Sequence, residues 1–179
     1  MSDNTRISRL TAEAIIDRIP QLAEVLEDCV NGGASVSFMQ PFSREKAVAF
    51  WEGVARSAAG GERHVLAAID EDDRVIGTVQ LIVDLPENQP HRGEVAKLLV
   101  HSRGRRRGIA GALMHELEQI AAAGSKTTLV LDTATGSGAE TFYARSGWQR
   151  AGVIPAFALM PDGEMTGTTL FYKQLAPRP

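Results

Sequence analysis

The sequence predicts an α/β (α+β) fold in a single domain over residues 1–179, with about seven strands and about four helices. Short β-rich runs alternate with amphipathic runs of helical period, in the order β-α-α-β-β-β-α-β-α-β-β. Residues 94–113, EVAKLLVHSRGRRRGIAGAL, change from strand period to helix period across a turn rich in arginine and glycine. No internal repeat, low-complexity tract or linker interrupts the chain, and its length of 179 residues suits one domain with a sizeable core.

The N-terminal third predicts a strand followed by two helices. Residues 5–10 are expected to form the strand, and Thr11 after it is an N-cap candidate. Pro20 suits the first turn of a helix that runs to about residue 30 and ends at the two glycines beyond it. Ser43 is the expected N-cap of a second helix, which buries apolar side chains on one face and ends near residue 58.

The rest of the chain alternates strands with two further helices. The expected strands cover residues 64–69, 75–83, 95–100, 127–132, 148–153 and 168–175. An apolar stripe with helical spacing predicts the longer helix, and it comprises Ile109, Leu113, Leu117 and Ile120. Gly124 ends this helix, and a shorter helix is expected from about residue 137 to residue 145.

Composition and charge exclude several classes of function. The net charge of −3 disfavours nucleic acid as the main partner, because duplex-binding proteins usually present a broad basic face. No apolar run approaches the length that spans a membrane, and the first residues lack the apolar core of a signal peptide. The single cysteine, Cys29, excludes an internal disulfide, so we expect a protein of the reducing cytoplasm. The four histidines lack ligand spacing, and no metal site is expected.

The turn contains the pattern Arg105-x-x-Gly108-x-Ala110, at the point where strand gives way to helix. The first N–H groups of a helix have no backbone partner, and together with the helix dipole they favour an anion. With four arginines nearby, this geometry suits a pyrophosphate. The turn matches neither a P-loop nor the Gly-x-Gly-x-x-Gly dinucleotide fingerprint. The alternative is a basic surface loop before an ordinary helix, and the glycine spacing favours the anion site over it.

This turn resembles the Arg/Gln-x-x-Gly-x-Gly/Ala loop of the GNAT superfamily of N-acetyltransferases, and the order of elements is similar as well. The resemblance implies a mixed central sheet in which two strands splay apart to form a cleft for coenzyme A (CoA). It also implies that acetyl-CoA is the cosubstrate and that the loop holds its pyrophosphate. The residues that the resemblance assigns to the cosubstrate are Leu98, Leu99, Val100, Arg105, Arg106, Arg107, Gly108, Ile109, Ala110 and Ser137. Many members carry Asn where this chain has Gly136, so that contact is either absent or supplied by Ser137 or a backbone group.

Three further stretches extend the resemblance. FYARSGW, at residues 142–148, is similar to the aromatic–Tyr–x-x-x-Gly–aromatic pattern at the end of a family helix. NGGASVSFM at residues 31–39 and LDTATGSGAETFY at residues 131–143 resemble a narrower group, the tabtoxin-resistance type of acetyltransferase. That type acetylates the amino group of a small β-lactam amino acid.

Three side chains are candidates for the chemistry. An ammonium has no lone pair, so a base must take its proton, and Glu94 and Asp132 at the edges of two apolar strands could do so. In the family, the hydroxyl of the residue that matches Tyr143 lies beside the CoA sulfur, where it serves as an acid for the leaving thiolate. The resemblance further implies that a backbone N–H in the strand over residues 98–100 stabilises the developing oxyanion. The alternative is structural: Tyr143 packs in the core, and each carboxylate pairs with Lys97 or an arginine.

Two other groups of residues bear on the mechanism. Cys29 falls on the apolar face of the first predicted helix, without a His or Asp in its motif, so it is expected to be a core cysteine. Direct transfer in a ternary complex is therefore favoured over an acyl-enzyme. The resemblance also implies that Phe38 and Met39 line the acceptor pocket, with core packing as the alternative.

Together these observations predict an acetyl-CoA-dependent N-acetyltransferase. Its expected acceptor is the primary amine of a small molecule, either an amino acid or a β-lactam-like analogue of one, and no membrane or nucleic acid is expected as a partner. A protein N-terminus or a lysine is the second candidate acceptor. A non-catalytic acyl-CoA-binding sensor is the third reading, and the chain is expected to be a monomer or a homodimer.

Overall fold

A computed structural model describes residues 5–176 of the chain. The seven strands are β1 Arg6–Leu10, β2 Arg63–Ile69, β3 Val75–Ile82, β4 Arg92–Val100, β5 Thr128–Ala134, β6 Gln149–Leu159 and β7 Met165–Gln174. The α-helices are α1 Ala12–Asp17, α2 Ile19–Asn31, α3 Arg44–Ala59, α4 Ile109–Ala123 and α5 Gly138–Arg145, and a short 3-10 helix covers Ser102–Gly104.

The strands form one mixed sheet in the order β1-β2-β3-β4-β5-β7-β6. Every neighbouring pair is antiparallel except β4 and β5, which run parallel at the centre. Helix α4 connects these two parallel strands, as expected for a crossover connection. The predicted fold class and its seven strands are confirmed.

The structure contains one helix more than the predicted four. Thr11 is an N-cap as predicted, but it begins the additional helix α1, and its Oγ1 accepts a hydrogen bond of 3.2 Å from the N–H of Ala14. This helix stops at Arg18, whose φ of −104° and ψ of 7° leave the helical region. Pro20 then stands in the first turn of α2, where its missing N–H does no harm. The chain leaves the helical conformation between α1 and α2 and then resumes it. The apolar periodicity of the sequence did not reveal this break.

Two hydrophobic cores lie on opposite faces of the sheet. On one face, α1, α2 and α3 pack against β2 and β4, and Trp51 of α3 is fully buried there. On the other face α4 buries Leu113 and Leu117, two members of the predicted apolar stripe, and α5 and β7 add Tyr143 and Phe171. Helices thus cover both faces of the central strands, whereas β6 at the edge of the sheet is almost wholly exposed.

The central strands are longer than predicted, and this changes the position of both candidate bases. Strand β4 begins at Arg92 because Arg92–Glu94 pair in register with residues 128–130 of β5. Strand β5 continues to Ala134 because its last three residues pair with residues 168–170 of β7. Glu94 and Asp132 therefore lie inside strands and not at their edges.

Candidate active site

A cleft opens at the centre of the sheet, between the two parallel strands. Their pairing begins at Arg92 with Thr128 and ends at Glu94 with Val130. Beyond this point β4 continues to pair with β3, while β5 pairs with β7, so the two halves of the sheet diverge. The splayed strands implied by the family resemblance are present.

A cavity of about 600 Å³ occupies this divergence. Strands β4 and β5 contribute Glu94, Leu98 and Asp132 to its lining, and α5 contributes Tyr143. Its outer walls are the loop over residues 32–37, after α2, and residues 157–160 with 166–168 of the β6–β7 hairpin. The volume lies in the range of pockets that enclose small molecules.

Glu94 presents a half-exposed carboxylate to the cavity. Its side chain is 45% exposed, and its Oε2 lies 3.5 Å from Nη1 of Arg92 on the same strand. Glu94 pairs with Ile82 on one side and with Val130 on the other, so its backbone is held at the last rung before the strands part. The predicted alternative of a carboxylate paired with an arginine is therefore present here, although the acid still faces the cavity.

Asp132 reaches the same cavity from β5. Its Oδ2 accepts a hydrogen bond of 2.7 Å from the hydroxyl of Thr168, a buried β7 residue that also lines the cavity. This contact orients the carboxylate and leaves Oδ1 for a second partner. Sequence reasoning missed Thr168 because its pairing with β5 depends on the register of β7, which no local motif reveals.

Tyr143 lies at the base of the cavity and is 6% exposed. Its ring packs against Phe142, Trp148 and Phe171, with ring centroids 5.3 to 6.0 Å apart. Burial, together with the negative charge of Asp132, raises the pKa of the Tyr143 hydroxyl well above its usual value. Tyr143 therefore packs as a core tyrosine does, and it also lines the cavity, as expected of a tyrosine that takes part in catalysis.

The raised pKa can be tested in the variant Tyr172→Phe. The chain has two tyrosines, so Tyr143 is the only tyrosine left in this variant. Between about pH 10, where an unfolded tyrosine ionises, and the higher native pKa, only the unfolded state loses the proton. The raised pKa of Tyr143 thus adds to the free energy of unfolding below about pH 10. This contribution is lost as the pH rises toward the native pKa. Phenolate absorbance is expected to appear only with unfolding, monitored by circular dichroism. A phenolate that forms near pH 10 in the folded protein would contradict the burial argument.

Strand β4 carries a bulge opposite β3. Thr78 pairs with Leu99 and Gln80 with Ala96, so one residue more is used on β4 than on β3. Lys97 in this bulge has a φ of +53°, and both Lys97 and Leu98 line the cavity. Of the other residues that the resemblance assigned to this strand, Leu99 is buried against the α1–α3 core, and Val100 accepts a hydrogen bond through its carbonyl from the Cys29 thiol.

The arginine turn lies beyond the end of β4 and is anchored to α2. Asp28 accepts two hydrogen bonds of 2.8 Å from Ser102, one from the N–H and one from the hydroxyl. The Arg105 side chain also turns toward α2, with Nη2 3.8 Å from Oδ2 of Asp28 and Nε donating to the carbonyl of Val100. The side chain of Arg105 therefore holds the turn in place, and Arg106 and Arg107 are exposed beside it.

Gly108 is the N-cap residue of α4 and has a left-handed φ of +76°. No side chain caps this helix, and a Cβ built on Gly108 would meet no atom within 4 Å. Ala110 follows in the first turn, while Ile109 points inward and is buried. Open space before uncapped N–H groups, flanked by arginines, fits the anionic pyrophosphate of a CoA ligand.

The loop before α5 is stabilised by its own side chains. Ser137 is the N-cap residue and accepts a hydrogen bond of 3.2 Å from the N–H of Glu140. Glu140 in turn accepts hydrogen bonds from the Gly136 N–H and from Thr169. Ser137 also lines the cavity, where its hydroxyl lies 3.4 Å from that of Thr133.

Phe38 and Met39 lie outside the lining of the cavity. Phe38 packs against Phe42 and Phe50, with centroids 4.6 and 5.4 Å away, and Met39 is 44% exposed. The residues just before them, Ser35 to Ser37, form the wall instead. The two residues predicted for this wall directly follow it in the chain, and the sequence did not single out Ser37 or the Lys97 opposite it as cavity residues.

Cys29 is 3% exposed, and its burial beside the charge of Asp28 raises the pKa of the thiol to about 11. Since the thiolate is the reactive form, we expect an aromatic disulfide reagent at pH 8 to label native protein about 100-fold more slowly than unfolded protein. Cys29→Ala should retain its acetyltransferase activity. Rapid labelling of the folded protein, or loss of activity in a folded Cys29→Ala variant, would favour a mechanism in which Cys29 forms an acyl-enzyme.

Residues 5–176 contain neither a metal-binding cluster nor a membrane-spanning helix. No group of three or more His, Cys, Asp or Glu side chains in that range is arranged to hold a metal ion. No helix in the same range combines the length and the apolar character that crossing a membrane requires.

Solved structures with the same fold span nearly the whole chain. A provisionally assigned acetyltransferase from Acinetobacter baylyi ADP1 superposes with a TM-score of 0.81 at 17% identity, covering 99% of this chain and 97% of that one. A ribosomal-protein-alanine N-acetyltransferase from Brucella melitensis gives 0.76 at 23% identity, with coverages of 95% and 99%. The protein yncA from Salmonella typhimurium, solved with its cofactor acetyl-CoA, gives 0.75 at 16% identity, with coverages of 98% and 96%. At these identities the similarity establishes the fold.

The sequence itself matches a family model. The acetyltransferase (GNAT) family aligns with residues 23–148, from within α2 to just beyond α5, which is more than half of the chain. This range contains the arginine turn, both carboxylates and Tyr143. The chain therefore belongs to the acetyltransferase (GNAT) family and is an acetyltransferase.

Proposed function

We propose that the protein transfers the acetyl group of acetyl-CoA to the primary amine of a small molecule, by direct attack in a ternary complex. The acceptor is an amino acid or a β-lactam-like analogue of one, as in the tabtoxin-resistance type that the sequence resembles. The observation that carries this proposal is the meeting of Glu94, Asp132 and Tyr143 on one cavity at the divergence of β4 and β5. The two carboxylates suit removal of a proton from the amine, and Tyr143 suits stabilisation of the leaving thiolate.

Acetyl-CoA is the proposed donor, and the residues at the arginine turn suit it. Gly108 leaves room for a phosphate to approach the first N–H groups of α4, and Arg106 and Arg107 add positive charge beside them. The pantetheine arm would run along the exposed edge of β4 at Leu98, where β5 no longer pairs. The structural similarity to yncA with its acetyl-CoA supports this choice of donor.

Asp132 and Glu94 are the proposed bases. Thr168 fixes one oxygen of Asp132, so the other is available for the ammonium of the acceptor. Glu94 lies across the cleft on β4 and adds negative charge that attracts a cationic amine. Removal of the proton, directly or through water, frees the lone pair that attacks the thioester carbonyl.

A backbone N–H at the β4 bulge is the proposed donor to the developing oxyanion, and Tyr143 is the donor to the leaving sulfur. A preorganised N–H needs no reorganisation during the reaction, and this is the basis of oxyanion stabilisation. Because a thiol is a stronger acid than the buried Tyr143, the hydroxyl stabilises the thiolate by a hydrogen bond and need not give up its proton completely. The raised pKa keeps that proton in place at neutral pH.

The shape of the cavity favours a small acceptor. The loop over residues 32–37 and the hairpin residues 157–160 enclose it from two sides, whereas a protein substrate needs an open groove across the strand ends. The matching fold of a ribosomal-protein-alanine acetyltransferase keeps a protein N-terminus as the second candidate acceptor.

The test is a release assay. The protein is incubated with acetyl-CoA and each of the common amino acids, and free CoA is measured with a thiol reagent, with the double variant Glu94→Gln/Asp132→Asn as background. We expect at least one amino acid to raise release well above that background. If CoA is released only with peptides that carry a free N-terminus, the acceptor is a protein and not a small molecule. Tight CoA binding without turnover on any amine would indicate an acyl-CoA sensor.

A further inference from the structure

Lys97 places an ammonium group on the acceptor side of the cavity. Its backbone lies in the β4 bulge with φ at +53°, a left-handed conformation that residues other than glycine seldom adopt. Its Nζ donates a hydrogen bond of 3.2 Å to Oγ of Ser37 in the cavity wall. The same Nζ lies 5.7 Å from the ring centroid of Phe38 and 5.8 Å from that of Phe50. The ammonium is thus held in one place by the loop and by α3.

This ammonium has no carboxylate bonded to it within residues 5–176. Ser37 provides a neutral hydroxyl, and the two rings provide only cation–π contacts. Burial lowers the pKa of Lys97, Asp132 opposes that shift through its negative charge, and Arg63 adds to it. Asp132 accepts its hydrogen bond from the Thr168 hydroxyl and not from Lys97, so its charge acts on Lys97 without a direct contact. A partly desolvated cation without an anionic partner favours the binding of an anion from solution.

The charges in the cavity are therefore separated. Glu94 and Asp132 supply negative charge where the strands diverge, and Lys97 supplies positive charge toward the loop over residues 32–37. A zwitterion with an ammonium and a carboxylate on one short scaffold complements this arrangement, while a simple amine leaves Lys97 unpaired.

We propose that Lys97 binds the carboxylate of the acceptor and thereby selects amino acids over amines that lack an acidic group. This inference rests on the proposed function, because it concerns the acceptor of that same site. Phe38 and Phe50 act as positioning residues, since they hold the ammonium against Ser37 and exclude water from its far side. Phe38 thus contributes to the acceptor site through Lys97, although it does not line the cavity itself.

The binding test compares acids with their amides and requires no turnover. N-acetyl-L-alanine, N-acetyl-L-serine and N-acetyl-L-threonine are titrated by calorimetry into protein saturated with CoA, each beside its uncharged primary amide. We expect at least one acid to bind about 10- to 100-fold more tightly than its amide. This is the gain in affinity that a hydrogen bond to a charged group provides. Lys97→Met should abolish this advantage, and Lys97→Arg should keep most of it. Lys46→Met, which removes the same charge from an exposed position on α3, should behave as the parent protein does.

Turnover gives the second measurement. For amino acid acceptors, Lys97→Met should raise KM about 10-fold or more, with little change in kcat or in the Kd for acetyl-CoA. The inference is overturned if no acid binds better than its amide in the parent protein, or if Lys97→Met weakens both equally. It is also overturned if Lys97→Met lowers kcat and shifts its pH profile, because that result assigns the lysine to proton transfer.

The two proposals fail in different ways. If the acids bind through Lys97 but no amine is acetylated, the carboxylate site stands and the proposed function is wrong. If amines are acetylated without preference for a carboxylate, the proposed function stands and the inference is wrong.

Discussion

Asp132→Asn is expected to lower kcat by about 10²- to 10⁴-fold, the range that a positioned general base contributes. The substitution keeps the size of the side chain and an oxygen that can accept the hydrogen bond from Thr168, but it removes the ability to take a proton. The Kd for acetyl-CoA should change by less than about threefold, because Asp132 lines the central cavity from β5 and the arginine turn does not line that cavity. Pre-steady-state acetylation and fluorescence titration of acetyl-CoA measure the two quantities separately.

Glu94→Gln completes this test from the opposite side of the cleft. If both carboxylates act on one proton, the double variant should lose little more activity than the more damaging single variant, since residues that act as a unit are not additive. Asp84→Asn and Glu87→Gln remove the same charges from exposed positions in the loop before β4 and should leave kcat unchanged. Equal losses of kcat and of acetyl-CoA affinity in Asp132→Asn would show that the carboxylate is structural.

Gly108→Val is expected to raise the Kd for acetyl-CoA by about 10-fold or more. A β-branched residue is a genuine outlier at a φ of +76°, and its side chain would fill the open space before the first turn of α4. Once acetyl-CoA is saturating, kcat should recover most of its value, because the bases and Tyr143 are untouched. Equilibrium titration and KM for acetyl-CoA report the effect.

Gly61→Val is the matched control for this substitution. Gly61 follows α3, has a φ of +75°, and likewise has no atom within 4 Å of a Cβ built on it. Both variants should therefore lose a similar amount of stability from the left-handed backbone, about 1–2 kcal/mol. If Gly61→Val weakens acetyl-CoA binding as much as Gly108→Val does, the loss reflects general destabilisation and the turn is not the anion site.

Local patterns in the sequence were sufficient for much of the fold. The stripe through Leu113 and Leu117 predicted α4, and the predicted caps at Thr11 and Ser43 were correct because each depends on residues within one helical turn. The arginine turn was also recognisable, since its glycine, its charges and the change of period are contiguous. Helix α1 was missed because six residues contain too little periodicity to separate it from the following helix.

The composition of the cavity was less predictable, because it depends on contacts between distant segments. Thr168 is 36 positions from Asp132, and Lys97 is 60 positions from Ser37, so neither pair forms a motif. The bulge that directs Lys97 arises from the register of β4 against β3, and no single strand specifies that register. Phe38 was placed near the acceptor wall by resemblance, but only the packing against Phe42 and Phe50 shows that it stands behind the wall.

The short pairing of β4 with β5 has a consequence for the order in which substrates bind. Within the described residues, the strand pairing between β4 and β5 comprises only three residue pairs, yet the proposed acceptor contacts come from both halves of the sheet, Lys97 from β4 and Asp132 from β5. The spacing of these two charges depends on the angle between the halves. A donor whose arm lies along β4 and whose thioester reaches Tyr143 bridges the gap and fixes that angle. We therefore expect the two substrates to bind in a compulsory order, with the donor first and the acceptor second, because only the donor completes the acceptor site.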